Sequence, residues 1–290
     1  VSGVRRAAVI GHPVAHSRSP ALFERFAAAT GIALRYDAVD VLPEALEATL
    51  ARWRATPQFV GCNVTLPHKE RALALADRVE PAALACGAAN VLTREDGALV
   101  AGNTDVAGVE AALAQHDVQL RGARVVILGA GGAARAVAEA ARRSGAAQVT
   151  FAARDRSRAQ AVAAGFGARA SGLDDVPIAD LYVNATSVGM QGQPQHSLLP
   201  HDAPRAAAAF DLVYVPEETP FLIDAGARGL RTVPGTAMFL AQAVATFEKW
   251  FGVTPLSGTA QERPWLILRQ AQDDIRAQGD VGARDVGASA

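Results

Sequence analysis

The chain has 290 residues, half of them hydrophobic and a fifth charged, with a formal net charge of −1. That length favours two domains of ordinary size over one large one. A charge so near zero sets up no long-range field to gather nucleic acid or an anionic membrane, so a small-molecule partner is expected, with no nucleic acid and no membrane.

Along the chain, apolar runs of strand length alternate with amphipathic helical segments. Strands are expected at 7–10, 35–41, 59–64, 124–128, 149–152, 181–184 and 210–214. Helices fall between them, among them 21–30, ended by Gly31, and 44–54, opened by Pro43. Such alternation predicts an α/β fold with largely parallel sheets. One internal boundary is expected near 103–108, where a new strand-helix unit follows, and a second crossing near 234–235. This divides the chain into 1–105 with 236–257 returning to it, then 106–235, then an extension at 258–290. The extension carries one short amphipathic stretch at 265–275, and its end is expected to be disordered.

The two cysteines, Cys62 and Cys86, form no CxxC or Cys/His cluster, which suggests neither a metal site nor a disulfide framework and fits a reducing cytoplasm. The apolar run in VSGVRRAAVIG is too short for a secretory signal, and no run of about 18 apolar residues follows, so a soluble protein is expected.

The clearest local motif is RVVILGAGGAARAVAEAARRSG. A buried strand runs into Gly129, Gly131 and Gly132 and then a helix, which is the pattern of a dinucleotide-binding turn. Glycines allow the tight turn and let a pyrophosphate reach backbone N–H groups at a helix N-terminus. After the next strand the sequence is FAARDRSRAQA. Ala153 stands where an acid would hold a ribose diol, while Arg154 and Arg158, one helical turn apart, suit a 2′-phosphate and favour NADP. Asp155 beside them opposes a phosphate and offers a ribose-diol ligand of its own.

Four polar motifs are individually ambiguous. NVTLPHK (63–69) places Asn63, Thr65 and Lys69 around Pro67. A lysine sheltered in a cleft is a usable acid or base, although a solvated lysine at a helix start looks the same in sequence. His68 shows no partner and reads as structural or exposed. GNTDVAG (102–108) offers Asn103, Thr104 and Asp105 at a strand end, which equally describes a helix cap. NATSVGM (184–190) puts polar groups on the sheet edge where open α/β proteins bind ligands. GTAMFLAQAVATFEKW sets Met238 and Gln242 four apart on one helical face.

Taken in order, GHPVAHSRSP, NVTLPHK, GAAN, NTD, GAGGAAR, NATSVG, DLVYVPEETPFL and GTAMFLAQ resemble the shikimate dehydrogenase family over residues 7–252. The resemblance implies two α/β domains, an N-terminal substrate domain and a Rossmann-like NADP-binding domain, facing a cleft. It implies reversible, NADPH-dependent reduction of 3-dehydroshikimate to shikimate, in a monomer or homodimer. Ser17 and Ser19 would bind the substrate carboxylate, where two hydroxyls at a helix start add to the favourable potential of its N-terminus. Ser19 alone also suits a helix cap. Thr65, Asn90, Tyr214 and Gln242 would complete the substrate site, and Lys69 with Asp105 would form the catalytic pair. The cofactor would lie on Gly129, Ala130, Gly131, Gly132, Ala133, Arg154, Arg158, Thr186, Gly235 and Met238. NADP-preferring relatives usually read Asn-Arg-Ser/Thr after the second nucleotide-domain strand, whereas this chain reads Ala153-Arg154-Asp155. Serine at both 17 and 19 resembles shikimate-directed members, since quinate-directed relatives can carry threonine at one of them.

Overall fold

The structure is a computed structural model that describes residues 3–15 and 17–255. The amphipathic stretch and tail expected beyond residue 257 lie outside the described residues.

Residues 5–102 build a six-stranded sheet. In chain order it runs β1 (Arg5–Gly11), α1 (Ser19–Thr30), β2 (Leu34–Asp40), α2 (Leu46–Arg54), β3 (Phe59–Val64), α3 (Lys69–Leu75), β4 (Arg78–Val79), α4 (Pro81–Cys86), β5 (Val91–Glu95) and β6 (Ala98–Gly102). The spatial order is β2-β1-β3-β5-β6-β4. β1 and β3 are central and buried along nearly their whole length, which is why they read as continuous apolar runs. The edge strand β2 alternates instead.

The sheet is not all parallel, because β5 pairs antiparallel with both β3 and β6. The turn between β5 and β6 is Asp96-Gly97, with φ of 50° and 82°. Two successive positive φ values make the tight hairpin turn that an Asp-Gly pair favours. The sequence expectation missed this hairpin, the two-residue β4 and two short strands further on. It also placed the strand at 210–214 two residues late.

From β6 the chain passes through α5 (Asp105–Gln115) into β7 (Arg124–Leu128), α6 (Gly132–Arg143), β8 (Gln148–Ala152), α7 (Arg156–Phe166), β9 (Arg169–Ser171), β10 (Leu181–Asn184), β11 (Ala208–Asp211), α8 (Pro220–Ala227), β12 (Arg231–Val233) and α9 (Gly235–Phe251). This second sheet is parallel throughout, in the order β12-β11-β10-β7-β8-β9. Counted from β7, that is the 3-2-1-4-5-6 arrangement of a dinucleotide-binding sheet, whose crevice opens where β7 and β10 diverge.

Helix α9 returns the chain to the first sheet, packing on α5, α1 and β3. The α5–α9 contact is close because α5 carries Gly108: a Cβ there would stand 3.0 Å from Gln242 Cβ and 3.1 Å from the Met238 carbonyl. This crossing brings the Met238 and Gln242 face of α9 beside the first turn of α5. Among the described residues no helix is long and apolar enough to cross a membrane.

Asp211, at the end of β11, is fully buried. It accepts from the Asn184 amide at 2.9 Å, the Thr219 hydroxyl at 2.6 Å and the Val213 N–H at 2.9 Å. Burial outweighs these bonds and pushes its carboxyl up to about 6. In the unfolded chain it ionises near pH 3.9. Between about pH 4 and 6 the folded chain therefore keeps a proton that the unfolded chain has lost, and this group stabilises the fold less as pH rises through that window, by roughly 3 kcal/mol in all. Asp211→Asn should flatten the change in urea-unfolding free energy between pH 4.5 and 6.5 (roughly the span where the two states differ). An unaltered slope in the variant would place the dependence elsewhere.

Candidate active site

The catalytic pair expected from sequence meets through two helix starts. Lys69 opens α3 and Asp105 opens α5, and Lys69 Nζ donates to Asp105 Oδ2 at 2.5 Å. Their side chains are 13% and 7% exposed, so each shelters the other's charge from water. The two readings of GNTDVAG separate cleanly. Thr104 is the N-cap of α5 and makes no side-chain cap bond; Asn103, one residue earlier, accepts from the Asp105 and Val106 N–H groups at 3.0 and 3.4 Å, and the Asp105 carboxylate is turned inward at a helix N-terminus that favours an anion. Its second oxygen, Oδ1, accepts from Asn90 Nδ2 at 2.8 Å. His68 is buried, with Nε2 2.6 Å from the Val41 carbonyl, in a structural role.

Ser17 and Ser19 border the same space from α1. Ser19 is the first helical residue and Arg18 the N-cap, so Ser19 is not the cap; its own N–H donates to Ser17 Oγ at 3.3 Å. Two tyrosines stand against the serines, Tyr36 buried and Tyr214 half-buried on the cavity wall. Tyr36 lies against Ser19 and Tyr214 against Ser17, and burial raises both phenols above their ordinary range. Each therefore stays protonated.

Across the cleft is the glycine turn. Gly129 has φ 117°, in the region that favours glycine, and a Cβ there would meet the Ala185 carbonyl at 3.0 Å. Gly131 is the N-cap of α6 and supplies no side-chain hydrogen bond, so the first N–H groups of this twelve-residue helix have no side-chain cap. A Cβ on Gly131 would meet nothing within 4 Å, which marks an open cradle. Free helix N–H groups facing open space at a strand switch fit the pyrophosphate of a dinucleotide. Ala130 is buried beneath the turn. Thr186 closes one side: its hydroxyl donates to Asn184 Oδ1 at 2.7 Å and its methyl carbon is 3.2 Å from where a Gly129 Cβ would be. Gly132 faces Lys69, since its Cβ would fall 2.9 Å from Lys69 Cδ.

The arginines occupy the far end of this crevice. Arg154 is exposed and precedes α7, whereas Arg158 is in its first turn, so the two are not successive residues of one helical face. Asp155 is the N-cap of α7, its Oδ1 accepting from the Arg158 N–H at 3.0 Å. That bond engages Oδ1 alone; Asp155 is exposed, and its second oxygen keeps the ribose-binding role open to it in sequence. Arg158 and Arg135 both reach Glu70, on the opposite wall, at 4.0 and 3.7 Å.

One cavity of about 200 Å³ joins the two walls, a space on the order of six or seven water volumes. Every expected catalytic and substrate residue lines it: Lys69 and Asp105, with Ser17, Ser19, Thr65, Asn90, Tyr214 and Gln242. Of the expected cofactor residues, Ala133, Gly235 and Met238 line it too, while Gly129, Ala130, Gly131, Gly132, Thr186 and the two arginines do not. The sequence analysis left Asn63 without a role, yet it lines the cavity, and it did not single out Tyr36 or Thr246 at all. Thr246 did leave a signal, being eight residues beyond Met238 and four beyond Gln242 on one helical stripe.

Comparison with known proteins identifies the family. Two family models match, the shikimate dehydrogenase substrate binding domain over residues 9–92 and shikimate / quinate 5-dehydrogenase over residues 111–190. The shikimate dehydrogenase (NADP(+)) of Azorhizobium caulinodans is 43% identical across 97% of this chain and 100% of its own length. That of Cereibacter sphaeroides is 45% identical across 86% and 92%. The crystal structure of shikimate 5-dehydrogenase from Thermus thermophilus in complex with NADP(H) and shikimate superimposes with a TM-score of 0.83 at 41% identity, covering 92% of this chain and 99% of that one. With two matching domain models and relatives this similar over nearly the whole length, the chain belongs to the shikimate dehydrogenase family.

Proposed function

We propose that Lys69 and Asp105 carry the proton chemistry of a reversible reduction of 3-dehydroshikimate to shikimate, the NADPH-dependent step of aromatic biosynthesis that defines this family. The observation that carries the assignment is the buried Lys69–Asp105 pair, 2.5 Å apart, on the wall of a cavity that also borders the nucleotide-binding turn. Bound NADPH supplies the hydride. Negative charge then develops on the substrate oxygen, where the Lys69 ammonium stabilises it and delivers a proton; in oxidation Lys69 takes the proton back. Asp105 keeps the ammonium aimed, and Asn90 keeps Asp105 from rotating.

The other residues bind and orient. Ser17 and Ser19 donate to the carboxylate at the start of α1, and Tyr214, a protonated phenol beside Ser17, joins them there. Thr65, Asn90 and Gln242 take ring hydroxyls. The turn at Gly129, Ala130, Gly131, Gly132 and Ala133 holds the pyrophosphate. Thr186, Gly235 and Met238 border the nicotinamide, and Arg154 and Arg158 take the 2′-phosphate. Residues 1–105 with 236–257 form the substrate domain and 106–235 the nucleotide domain, in a monomer or homodimer. Two buried free thiols suit a reducing cytoplasm.

Following reduced-nicotinamide absorbance with shikimate or quinate against NADP⁺ or NAD⁺ tests the assignment. Turnover confined to shikimate with NADP⁺ supports it, and preference for quinate or NAD⁺ would overturn the corresponding part. Arg154→Ala should weaken NADPH binding by about tenfold or more, the scale of one charge-assisted contact, and leave NADH binding nearly unchanged. Equal losses in the two fluorescence titrations would make Arg154 structural.

A further inference from the structure

A line of buried side chains runs behind the cavity and ends on the catalytic pair. The Tyr36 hydroxyl donates to Asn63 Oδ1 at 2.8 Å, and Asn63 Nδ2 donates to Thr246 Oγ1 at 3.3 Å. The Thr246 and Thr104 hydroxyls are 3.0 Å apart. Asn90 Nδ2 donates both to Thr104 Oγ1 at 2.9 Å and to Asp105 Oδ1 at 2.8 Å, and Asp105 Oδ2 meets Lys69. The line therefore joins β2, β3, α9 and the approach to α5. Thr246, its member from α9, has no exposed surface.

The two amides in this line have settled orientations. Asn90 Oδ1 accepts from the Thr104 N–H at 2.7 Å, so its NH₂ group must face Thr104 and Asp105. Asn63 Nδ2 is 3.5 Å from the Asn90 carbonyl, which can only accept, so the Asn63 NH₂ group faces that carbonyl and Thr246, and Asn63 Oδ1 accepts from the Tyr36 hydroxyl. Tyr36, Thr104 and Thr246 are absent from the cavity wall, so they have no direct access to substrate. Their hydroxyls act on Asp105 only through Asn90. Deleting one leaves its buried neighbours short of a partner, and they regain it only by turning.

We infer that Thr246 is a positioning residue for the Lys69–Asp105 pair, holding the Asp105 carboxylate in register through Thr104 and Asn90. The inference rests on the proposed role of that pair. Thr246→Val removes the hydroxyl at nearly constant volume, and Thr246→Ser keeps it.

With shikimate and NADP⁺, Thr246→Val should lower kcat about tenfold, since small misplacement of catalytic groups is costly. The KM for shikimate and the Kd for NADP⁺ should stay within about twofold of the parent, and Thr246→Ser should restore kcat to within about twofold. Parental kcat in Thr246→Val, an equal kcat loss in Thr246→Ser, or a loss confined to KM would overturn the inference. Should Thr246→Val fail to fold, Thr104→Val takes its place, because the Thr104 hydroxyl joins Thr246 to Asn90 and lies off the cavity wall. It should lower kcat about threefold on the same logic, and parental kcat there would be equally fatal. The two levels fail separately. If Lys69→Ala leaves turnover intact, the catalytic pair itself is misassigned and the inference falls with it; a Lys69-dependent parent with an unaffected Thr246→Val loses only the positioning role.

Discussion

Lys69→Ala should lower kcat for shikimate oxidation by roughly 10³-fold or more, because one substitution removes both the proton carrier and the charge that meets the developing oxyanion. Cofactor affinity should change little, since no phosphate-binding group is lost. Asp105→Asn should cost less, about a hundredfold, as the amide keeps a contact to Lys69 without the countercharge that aims it. The double variant is the sharper measurement. Asp105 acts through Lys69, so the pair should be no slower than Lys69→Ala alone. Multiplying losses would mean that Asp105 touches the reaction independently, and an equal fall in NADP⁺ affinity would place Lys69 in the cofactor site instead.

A large effect on stability is expected at Gly235, at the start of α9. A Cβ there would stand 2.3 Å from the Val213 carbonyl oxygen and 2.8 Å from that of Asp211. Both are backbone atoms, so no rotamer change relieves the clash and the helix start itself must move. Gly235→Ala should therefore cost about 3 kcal/mol, the upper end for overpacking, and lower the unfolding midpoint by roughly 10 °C. Because the same turn of α9 carries Met238 into the cavity, cofactor binding should weaken as well. Gly226→Ala, inside α8 with nothing within 4 Å of the new Cβ, is the matched control and should be neutral or slightly stabilising. Equal midpoints for the two variants would refute the backbone wedge.

What was legible in sequence was local. Strands at 59–64, 124–128 and 181–184 coincide with β3, β7 and β10 because buried parallel strands are continuous apolar runs bounded by turns. The glycine turn was legible because only glycine tolerates the backbone at 129. The β5–β6 hairpin also had a local signal, Asp96-Gly97, that went unused. The family was legible because eight short motifs occur together in order, although each alone fits an ordinary cap or turn.

Tertiary structure decided what depends on residues far apart in the chain. Whether Asp105 caps a helix or faces Lys69 is settled by Asn103 accepting the first N–H groups of α5 and by Lys69, at the start of α3, reaching the Asp105 carboxylate. That Asp155 caps a helix is likewise visible only in the fold, where its Oδ1 accepts the N–H of Arg158. Tyr36 and Thr246 carry no motif, and their partnership with Asn63 spans 27 and 183 positions of sequence. Propensity and periodicity report how a residue meets its neighbours within a few positions. A hydrogen-bond partner brought in by the packing of α9 on α5 is set by the whole fold, so the chemistry of individual residues was readable from the sequence while their pairing was not.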